Sequence, residues 1–285
     1  MTKRLVCPAA LFGFLIVATS SALAQSRPLV TEDPETVPVG HVLVEGGLDF
    51  GYDAVFPASG LKGNLWRIGT FGLSVGISPI AEVQIDGGLR NRLGIKSIDP
   101  TAPLADMLDI DGESTSEFED LVIGTKIRFL TETVSRPSMA VKFATKLPMA
   151  SNETGLGLDT TDFTVGLHVG KTVQSVRIVG NGGIGILSDP IRGDRQNDVL
   201  LYGLSVSRAV APDIEVVAEL NGRLHTRDSD PPPGTESRSV ARLGARATRG
   251  PVRVDAAFAI GVTENDPTWG FTVGLTWVFR AFEIR

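Results

Sequence analysis

Residues 269–279 read WGFTVGLTWVF, and the alternation in this stretch decides the fold. Large apolar side chains stand at every second position: Trp269, Phe271, Val273, Leu275, Trp277 and Phe279. Glycine or threonine separates them as far as Thr276. Because successive side chains of a β-strand point to opposite faces, this period of two predicts a strand with one apolar face. A strand of about eleven residues is long for a soluble sheet, but it suits a tilted strand that crosses a membrane.

The same period recurs along most of the chain. About twelve such segments lie near residues 41–52, 65–78, 81–91, 119–131, 137–148, 161–170, 173–187, 198–208, 213–224, 237–248, 251–262 and 268–279. A single chain that closes an even number of antiparallel strands leaves no unpaired backbone in lipid. The sequence therefore predicts an all-β fold, an antiparallel up-and-down transmembrane β-barrel of about 12 strands that occupies residues 41–285.

The connections between these segments alternate in length. Tight turns are predicted near residues 78–80, 171–172, 211–213 and 249–251. Longer polar loops are predicted at 53–64, 92–118, 149–160, 188–197 and 225–236. This alternation is typical of barrels whose turns face the periplasm and whose loops face outward.

The N-terminus has the pattern of a cleaved signal peptide at residues 1–24. Lys3 and Arg4 precede an apolar stretch, and Ala22 and Ala24 occupy the positions that a signal peptidase reads. The only cysteine, Cys7, lies within this segment, so the mature chain is expected to have no disulfide. Residues 25–40 hold three prolines and form an extended leader, which either projects into the periplasm or enters the barrel.

The charge balance narrows the range of partners. The chain has a formal net charge of −6, and loss of Lys3 and Arg4 with the signal makes the mature value −8. An acidic chain lacks the basic footprint of a nucleic-acid-binding protein. The expected partners are outer-membrane lipid, a small-molecule solute and the barrel assembly machinery, at the cell outer membrane.

The polar faces of the predicted strands would line the lumen of such a barrel. The predicted lumen-lining residues are Glu45, Asp49, Glu82, Asp86, Arg90, Lys126, Arg128, Lys142, Lys146, Arg177, Glu215, Glu219, Arg223, Arg242, Arg246, Arg253 and Asp255. Both signs of charge are present. Either these groups pair across the interior and fill it, or they line a path for a solute, and the sequence leaves both readings open.

Catalytic and metal-binding patterns are weak. His41, His168 and His225 are the three histidines, and they fall in separate segments with no spacing that suits a metal site. We therefore expect no catalytic residue, no metal and no cofactor, and we interpret the chain as a non-enzyme. Some twelve-stranded outer-membrane barrels are hydrolases, so a Ser–His pair at His168 or His225 stays open as an alternative.

Several short motifs resemble one family of predicted outer-membrane proteins of the transporter type. The post-signal stretch RPLVTEDP (27–34), the strand EDLVIGTKIRF (119–129) and the closing stretch 269–279 carry the likeness. They resemble the family named for the meta-pathway of phenol degradation. The resemblance implies a barrel that passes small, often hydrophobic or aromatic, compounds, and it transfers no substrate-binding residue.

The functional expectation is a channel or transporter for passive passage of small molecules. The alternatives are a plugged structural or adhesive barrel that acts through its outer loops and, with less support, an outer-membrane lipid hydrolase. Two features depart from the usual pattern of such barrels. Aromatic residues are sparse, at 6% of the chain, and six residues follow Phe279 where a terminal aromatic is common.

Overall fold

The stretch at 269–279 lies in the last strand of the wall, β13 (Trp269–Arg280), in the computed structural model. This strand pairs antiparallel with β12 (Val252–Gly261) on one side and with β1 (His41–Phe56) on the other. The pairing of the last strand with the first closes the sheet into a barrel. The structure describes residues 26–283, so the signal peptide predicted at 1–24 lies outside the described residues.

Twelve strands form the wall, and each is antiparallel to its neighbours. The remaining wall strands are β2 (Leu61–Ser78), β3 (Ala81–Ile98), β5 (Leu121–Leu130), β6 (Ser138–Leu147), β7 (Asp162–Val173), β8 (Val176–Ser188), β9 (Gln196–Ala211), β10 (Ile214–His225) and β11 (Arg238–Arg249). A short strand, β4 (Ser114–Glu117), lies in a loop and pairs with β3. The predicted twelve-stranded, up-and-down barrel is confirmed.

The two ends of the barrel differ. At one end, which we call the turn end, the connections are 79–80, 131–137, 174–175, 212–213 and 250–251. The other end, which we call the loop end, carries the connections 57–60, 99–120, 148–161, 189–195, 226–237 and 262–268. His41 and Arg280 both lie at the turn end, where they pair with each other in register.

The first three strands are longer than the alternation predicted. β1 and β2 continue to Phe56 and Leu61, so the loop predicted at 53–64 is a tight turn at 57–60. β3 continues to Ile98, and its last part pairs with β4 rather than opening a loop at residue 92. The prediction stopped short because Asp53, Lys62 and Arg92 interrupt the apolar pattern, although backbone pairing continues past them.

The outward face of the wall is apolar. Exposed large apolar side chains occur on every wall strand, among them Val44, Ile68, Leu89, Ile123, Phe143, Leu167, Ile184, Leu204, Leu220, Leu243, Phe258 and Leu275. Soluble proteins rarely expose a continuous apolar belt of this kind, whereas a lipid-facing barrel requires one. Among residues 26–283, no helix is long and apolar enough to span a membrane.

The few aromatic side chains are concentrated on one flank. Phe50 has its ring centroid 4.7 Å from that of Trp66 and 5.4 Å from those of Trp269 and Phe271. Tyr52 stacks on Trp269 at 5.4 Å. Each such contact adds about 0.5–1.5 kcal/mol beyond simple burial. The cluster therefore reinforces the seam where β13 closes onto β1.

Candidate functional site: the barrel lumen and the leader inside it

The structure places the predicted lumen residues, with the exception of Arg90, on the inner face of the wall. These are Glu45, Asp49, Glu82, Asp86, Lys126, Arg128, Lys142, Lys146, Arg177, Glu215, Glu219, Arg223, Arg242, Arg246, Arg253 and Asp255. Their charges lie along the interior from the turn end to the loop end. Most of them take part in ion pairs or hydrogen bonds there.

Arg90 was predicted to line the lumen, and this prediction is wrong. Its register partner is Ile68, an outward side chain that is 45% exposed, and Arg90 is itself exposed and donates a hydrogen bond to Ser116 Oγ at 3.1 Å. The cause is Gly69 of β2, which has a φ of +67° and interrupts the alternation of the sheet at this level. A one-residue irregularity exchanges the two faces beyond it, so the period that correctly placed Asp86 misplaces Arg90.

The leader occupies the lumen. Residues 26–40 run through the interior to the start of β1 and contact inner side chains of strands from both sides of the barrel. Of the two courses that the sequence left open, the structure shows the one in which the leader enters the barrel. This segment contains no strand, so its side chains and backbone groups make the contacts.

Arg27 anchors the start of the described leader to the closing seam. Its Nη2 donates to Thr272 Oγ1 at 2.8 Å and to the Val273 carbonyl oxygen at 2.9 Å. The same guanidinium lies 3.6 Å from Asp255 Oδ1 and 3.8 Å from Asp49 Oδ1. One arginine thus links two inner carboxylates that would otherwise repel each other.

Glu219 of β10 holds the next part of the leader by its backbone. Its carboxylate accepts hydrogen bonds from Val30 N at 2.9 Å and from Thr31 N at 2.8 Å. The same carboxylate pairs with Arg242 at 2.7 Å. Hydrogen bonds to a charged acceptor are roughly twice as strong as those between neutral groups, so this contact fixes the leader at mid-lumen.

Glu32 places a negative charge among basic wall residues. It pairs with Lys142 and lies 3.7 Å from Lys126 Nζ. Lys126 is 1% exposed and also pairs with the fully buried Glu82 at 3.0 Å. Buried charges are tolerated only when they are paired, so the leader carboxylate completes a network that the wall leaves unbalanced.

Asp33 and Glu35 complete the contacts toward the turn end. Asp33 accepts two hydrogen bonds from Arg177, at 2.8 and 2.7 Å, while Glu35 pairs with Arg128. Burial alone would raise the pKa of Asp33, but the hydrogen bonds and the charge of Arg177 outweigh burial and hold that pKa below its ordinary value. The leader is therefore held mainly by charge-assisted contacts.

The lumen nearer the loop end contains free space. A cavity of about 870 Å³ lies between the leader and the loops. Charged side chains of the wall line it, among them Asp49, Arg67, Arg223, Arg238 and Arg242. Leu65 and Leu201 contribute apolar patches to the same cavity. The interior thus combines a filled half next to the turns with a spacious half next to the loops.

Sequence reasoning missed several of these residues. Arg67 pairs inside with Asp49 at 3.0 Å and with Glu119, but strict alternation from Thr70 assigns it to the outer face. The Gly69 irregularity is the reason, as it is for Arg90. Arg238 lies four residues before Arg242 on the same face and could have been found by alternation. The inner contacts of Glu32 and Asp33 could not be predicted from side-chain alternation, because the leader is not a strand.

The histidines bind carbonyl or amide groups. His168 Nδ1 lies 3.3 Å from the Glu32 carbonyl oxygen, and His225 Nδ1 lies 3.0 Å from Asn197 Oδ1. Within residues 26–283, no histidine ring is hydrogen-bonded to a serine or threonine hydroxyl. The same part of the chain holds no group of three or more histidine, cysteine or acidic residues that suits a metal ion.

Comparison with known proteins relates the chain to outer-membrane barrels by fold. No family model matches the chain, and no curated protein is significantly similar to it in sequence. An outer membrane channel from Pseudomonas putida F1 superimposes with a TM-score of 0.60 at 13% identity, over 87% of this chain and 98% of that one. The NanC porin gives a TM-score of 0.49 at 8% identity, over 83% and 98% of the two chains. The chain therefore has the fold of outer-membrane β-barrels, which it shares with a channel.

Proposed function

We propose that this chain is an outer-membrane channel that lets small molecules pass down their concentration gradient. The cavity of about 870 Å³ inside the closed wall is the observation that carries the proposal. A barrel whose only role is structural needs no such space in its interior, whereas a channel requires it. The apolar outer belt supports a location in lipid, after export by the predicted signal peptide and insertion by the barrel assembly machinery.

The leader acts as the gate in this proposal. It fills the lumen between the cavity and the turn end, where Glu82 and Val37 are fully buried. Carboxylates of the leader and cations of the wall form most of the contacts, and both would be solvated by water if the leader moved out. A segment held in this way can leave and return without unfolding the wall, because it belongs to no strand pair.

Conductance of a single channel in a planar bilayer tests the proposal. We expect removal of residues 26–37 to raise conductance severalfold over the intact mature chain, since the filled half of the lumen would become open. If neither form conducts after verified insertion, the channel proposal is wrong. A plugged structural or adhesive barrel would then be the better interpretation.

A disulfide lock provides the matched control. In place of Gly203, an added Cβ would lie 3.5 Å from Thr31 Cβ, a separation that suits a disulfide. We expect the oxidised Thr31→Cys/Gly203→Cys variant to stay closed and the reduced form to open as the intact chain does. The predicted mature chain has no other cysteine, so the lock is specific. Equal opening in the oxidised and reduced forms would refute the leader as the gate.

We propose small molecules as the class of substrate that passes through the channel. The resemblance of residues 27–34, 119–129 and 269–279 to the phenol meta-pathway family favours hydrophobic or aromatic compounds within that class. A lipid hydrolase is the weaker candidate, because the ring nitrogens of His168 and His225 bind amide or carbonyl oxygens. It predicts turnover that disappears in His168→Ala or His225→Ala.

A further inference from the structure

Charged side chains face each other at three levels of the β10–β11 strand pair, which we call rungs, and the third rung differs from the other two. Along β10 and β11, Glu215 stands opposite Arg246 and Glu219 opposite Arg242, and each pair is an ion pair at 2.7 Å. One further repeat toward the loop end, the register sets Arg223 opposite Arg238. Like charges directly opposite each other on a sheet are destabilising. The third rung therefore has an excess of positive charge.

No carboxylate of the described residues forms an ion pair with either arginine. Among residues 26–283, no carboxylate oxygen lies within 4.0 Å of the Arg223 or Arg238 guanidinium. Two acids lie nearby without forming an ion pair with either arginine: Glu236 accepts from Gly234 N through Oε1 and leaves its Oε2 without a hydrogen-bond partner, while Asp266 accepts from Ser239 N. Asp162, further along the wall, pairs with Lys146 at 3.0 Å.

Backbone carbonyls fix the two guanidinium groups without saturating them. Arg223 donates to the carbonyl oxygens of Glu236 at 2.9 Å and Gly234 at 2.6 Å. Arg238 donates to the Val55 carbonyl oxygen at 3.0 Å, and its Nε is buried without a partner. A guanidinium carries five N–H donors in a planar fork, so both groups have donors to spare. Neutral carbonyls hold them in place but cancel no charge.

The pair borders the cavity. Both arginines line the space of about 870 Å³, together with Arg242 and the apolar side chains of Leu65 and Leu201. Cavities of roughly 300–1,000 Å³ accommodate whole organic molecules. Inorganic phosphate would supply the oxyanion but would leave the apolar wall uncovered.

We propose that Arg223 and Arg238 together bind the carboxylate of a small organic acid within the lumen. The anion bridges the two guanidinium groups through charge-assisted hydrogen bonds and removes their repulsion, while the apolar body of the acid lies toward Leu65 and Leu201. As a step in permeation, this site rests on the proposed channel function. As a binding site, it requires only the folded barrel.

The site is tested by measuring the binding of benzoate to the refolded mature protein in detergent by equilibrium dialysis. Benzamide serves as the neutral isostere and inorganic phosphate as the simple oxyanion. We expect saturable binding of benzoate, far weaker binding of benzamide, and a loss of roughly tenfold to hundredfold in Arg223→Gln/Arg238→Gln. Arg192→Gln/Arg195→Gln removes two exposed outer-loop charges and should bind benzoate as the unaltered chain does.

The variant Arg238→Glu distinguishes loss of the binding site from misfolding of the barrel. It turns the third rung into an Arg–Glu pair like the two below it, so the barrel should fold while benzoate binding is lost. Equal affinity for benzoate and benzamide, binding of phosphate alone, or undiminished binding in Arg238→Glu would each overturn the proposal. Conductance is measured separately. A barrel that conducts without binding benzoate refutes this site alone, and one that binds benzoate without conducting refutes the channel alone.

Discussion

The two halves of the lumen solve the same electrostatic problem in different ways. Near the turn end, the wall cations Lys126, Arg128 and Arg177 are neutralised by the leader, a segment of the same chain. Near the loop end, Arg223 and Arg238 face a cavity and have no acidic partner within 4.0 Å among the described residues. The first half is thus completed by the protein itself, and in our proposal the second half is completed by a solute.

The energetic consequences of the two arrangements have opposite signs. Removing one member of a buried pair leaves its partner charged and desolvated, which is costly. Removing one member of a like-charged pair relieves repulsion. Substitutions in the two halves should therefore change stability in opposite directions.

The largest effect is expected at Lys126. Lys126→Met would leave the fully buried Glu82 without its cation and should lower the free energy of unfolding by about 3–5 kcal/mol. Urea unfolding in lipid vesicles measures this. Lys62→Met, at an exposed position of β2, is the matched control and should cost almost nothing. A similar small cost for both variants would contradict the account of a buried network.

A smaller effect is expected at Asp33. Asp33→Asn removes the charge that accepts two hydrogen bonds from Arg177 and should weaken docking of the leader by about 1.5–3 kcal/mol. In a Thr36→Cys background, thiol labelling reports undocking, because Thr36 is buried. Labelling should become roughly tenfold to hundredfold faster. Asp230→Asn, in an exposed loop, should label at the original rate.

Acid should reproduce the effect of this substitution. Because docking lowers the pKa of Asp33, the contact stabilises the docked leader fully at pH values above the ordinary carboxyl pKa. That stabilisation is lost as the pH falls through the lowered value, when the carboxyl group takes up a proton. The thiolate fraction itself falls in acid, so each labelling rate is divided by that of a free thiol at the same pH. The normalised rate should rise in acid, and the rise should be smaller with Asp33→Asn. An identical pH profile in both forms would exclude Asp33 as a source of the dependence.

The wall was predictable from sequence because side chains of a β-strand alternate regularly between the two faces of the sheet. Alternation places a side chain inside or outside as long as the pairing is regular, and Lys126, Glu219 and Arg242 follow it. It fails at Gly69, where a left-handed residue exchanges the faces of Arg67 and Arg90. No pattern in the letters indicates that this particular glycine adopts a positive φ.

The site was less predictable than the wall. Six of its charge pairs join the leader to strands that lie far away in sequence, as Asp33 does with Arg177 and Glu32 with Lys142. Such pairs depend on the course of a segment with no regular secondary structure. An acidic leader that precedes a barrel with excess basic lumen residues is a usable signal, but only the structure shows which charges meet.

The smallest effect is expected at the third rung of the β10–β11 pair, where Arg223 stands opposite Arg238. It tests directly whether paired and like-charged positions respond in opposite directions. Arg238→Glu exchanges an Arg–Arg pair for an Arg–Glu pair and gives up one hydrogen bond to the Val55 carbonyl oxygen. We expect a gain of about 0.2–1 kcal/mol in the free energy of unfolding. Arg242→Glu is the same substitution one rung lower, where it sets two glutamates opposite each other and breaks the pair with Glu219. It should destabilise the barrel. The two positions share a strand, a face and a side chain, and each substitution also gives up one further hydrogen bond, to the Val55 carbonyl oxygen or to Asn221 Oδ1. A difference in sign therefore reports the charge that stands opposite. If both variants destabilise equally, the Arg223–Arg238 pair carries no excess charge, and the site needs no anion to complete it.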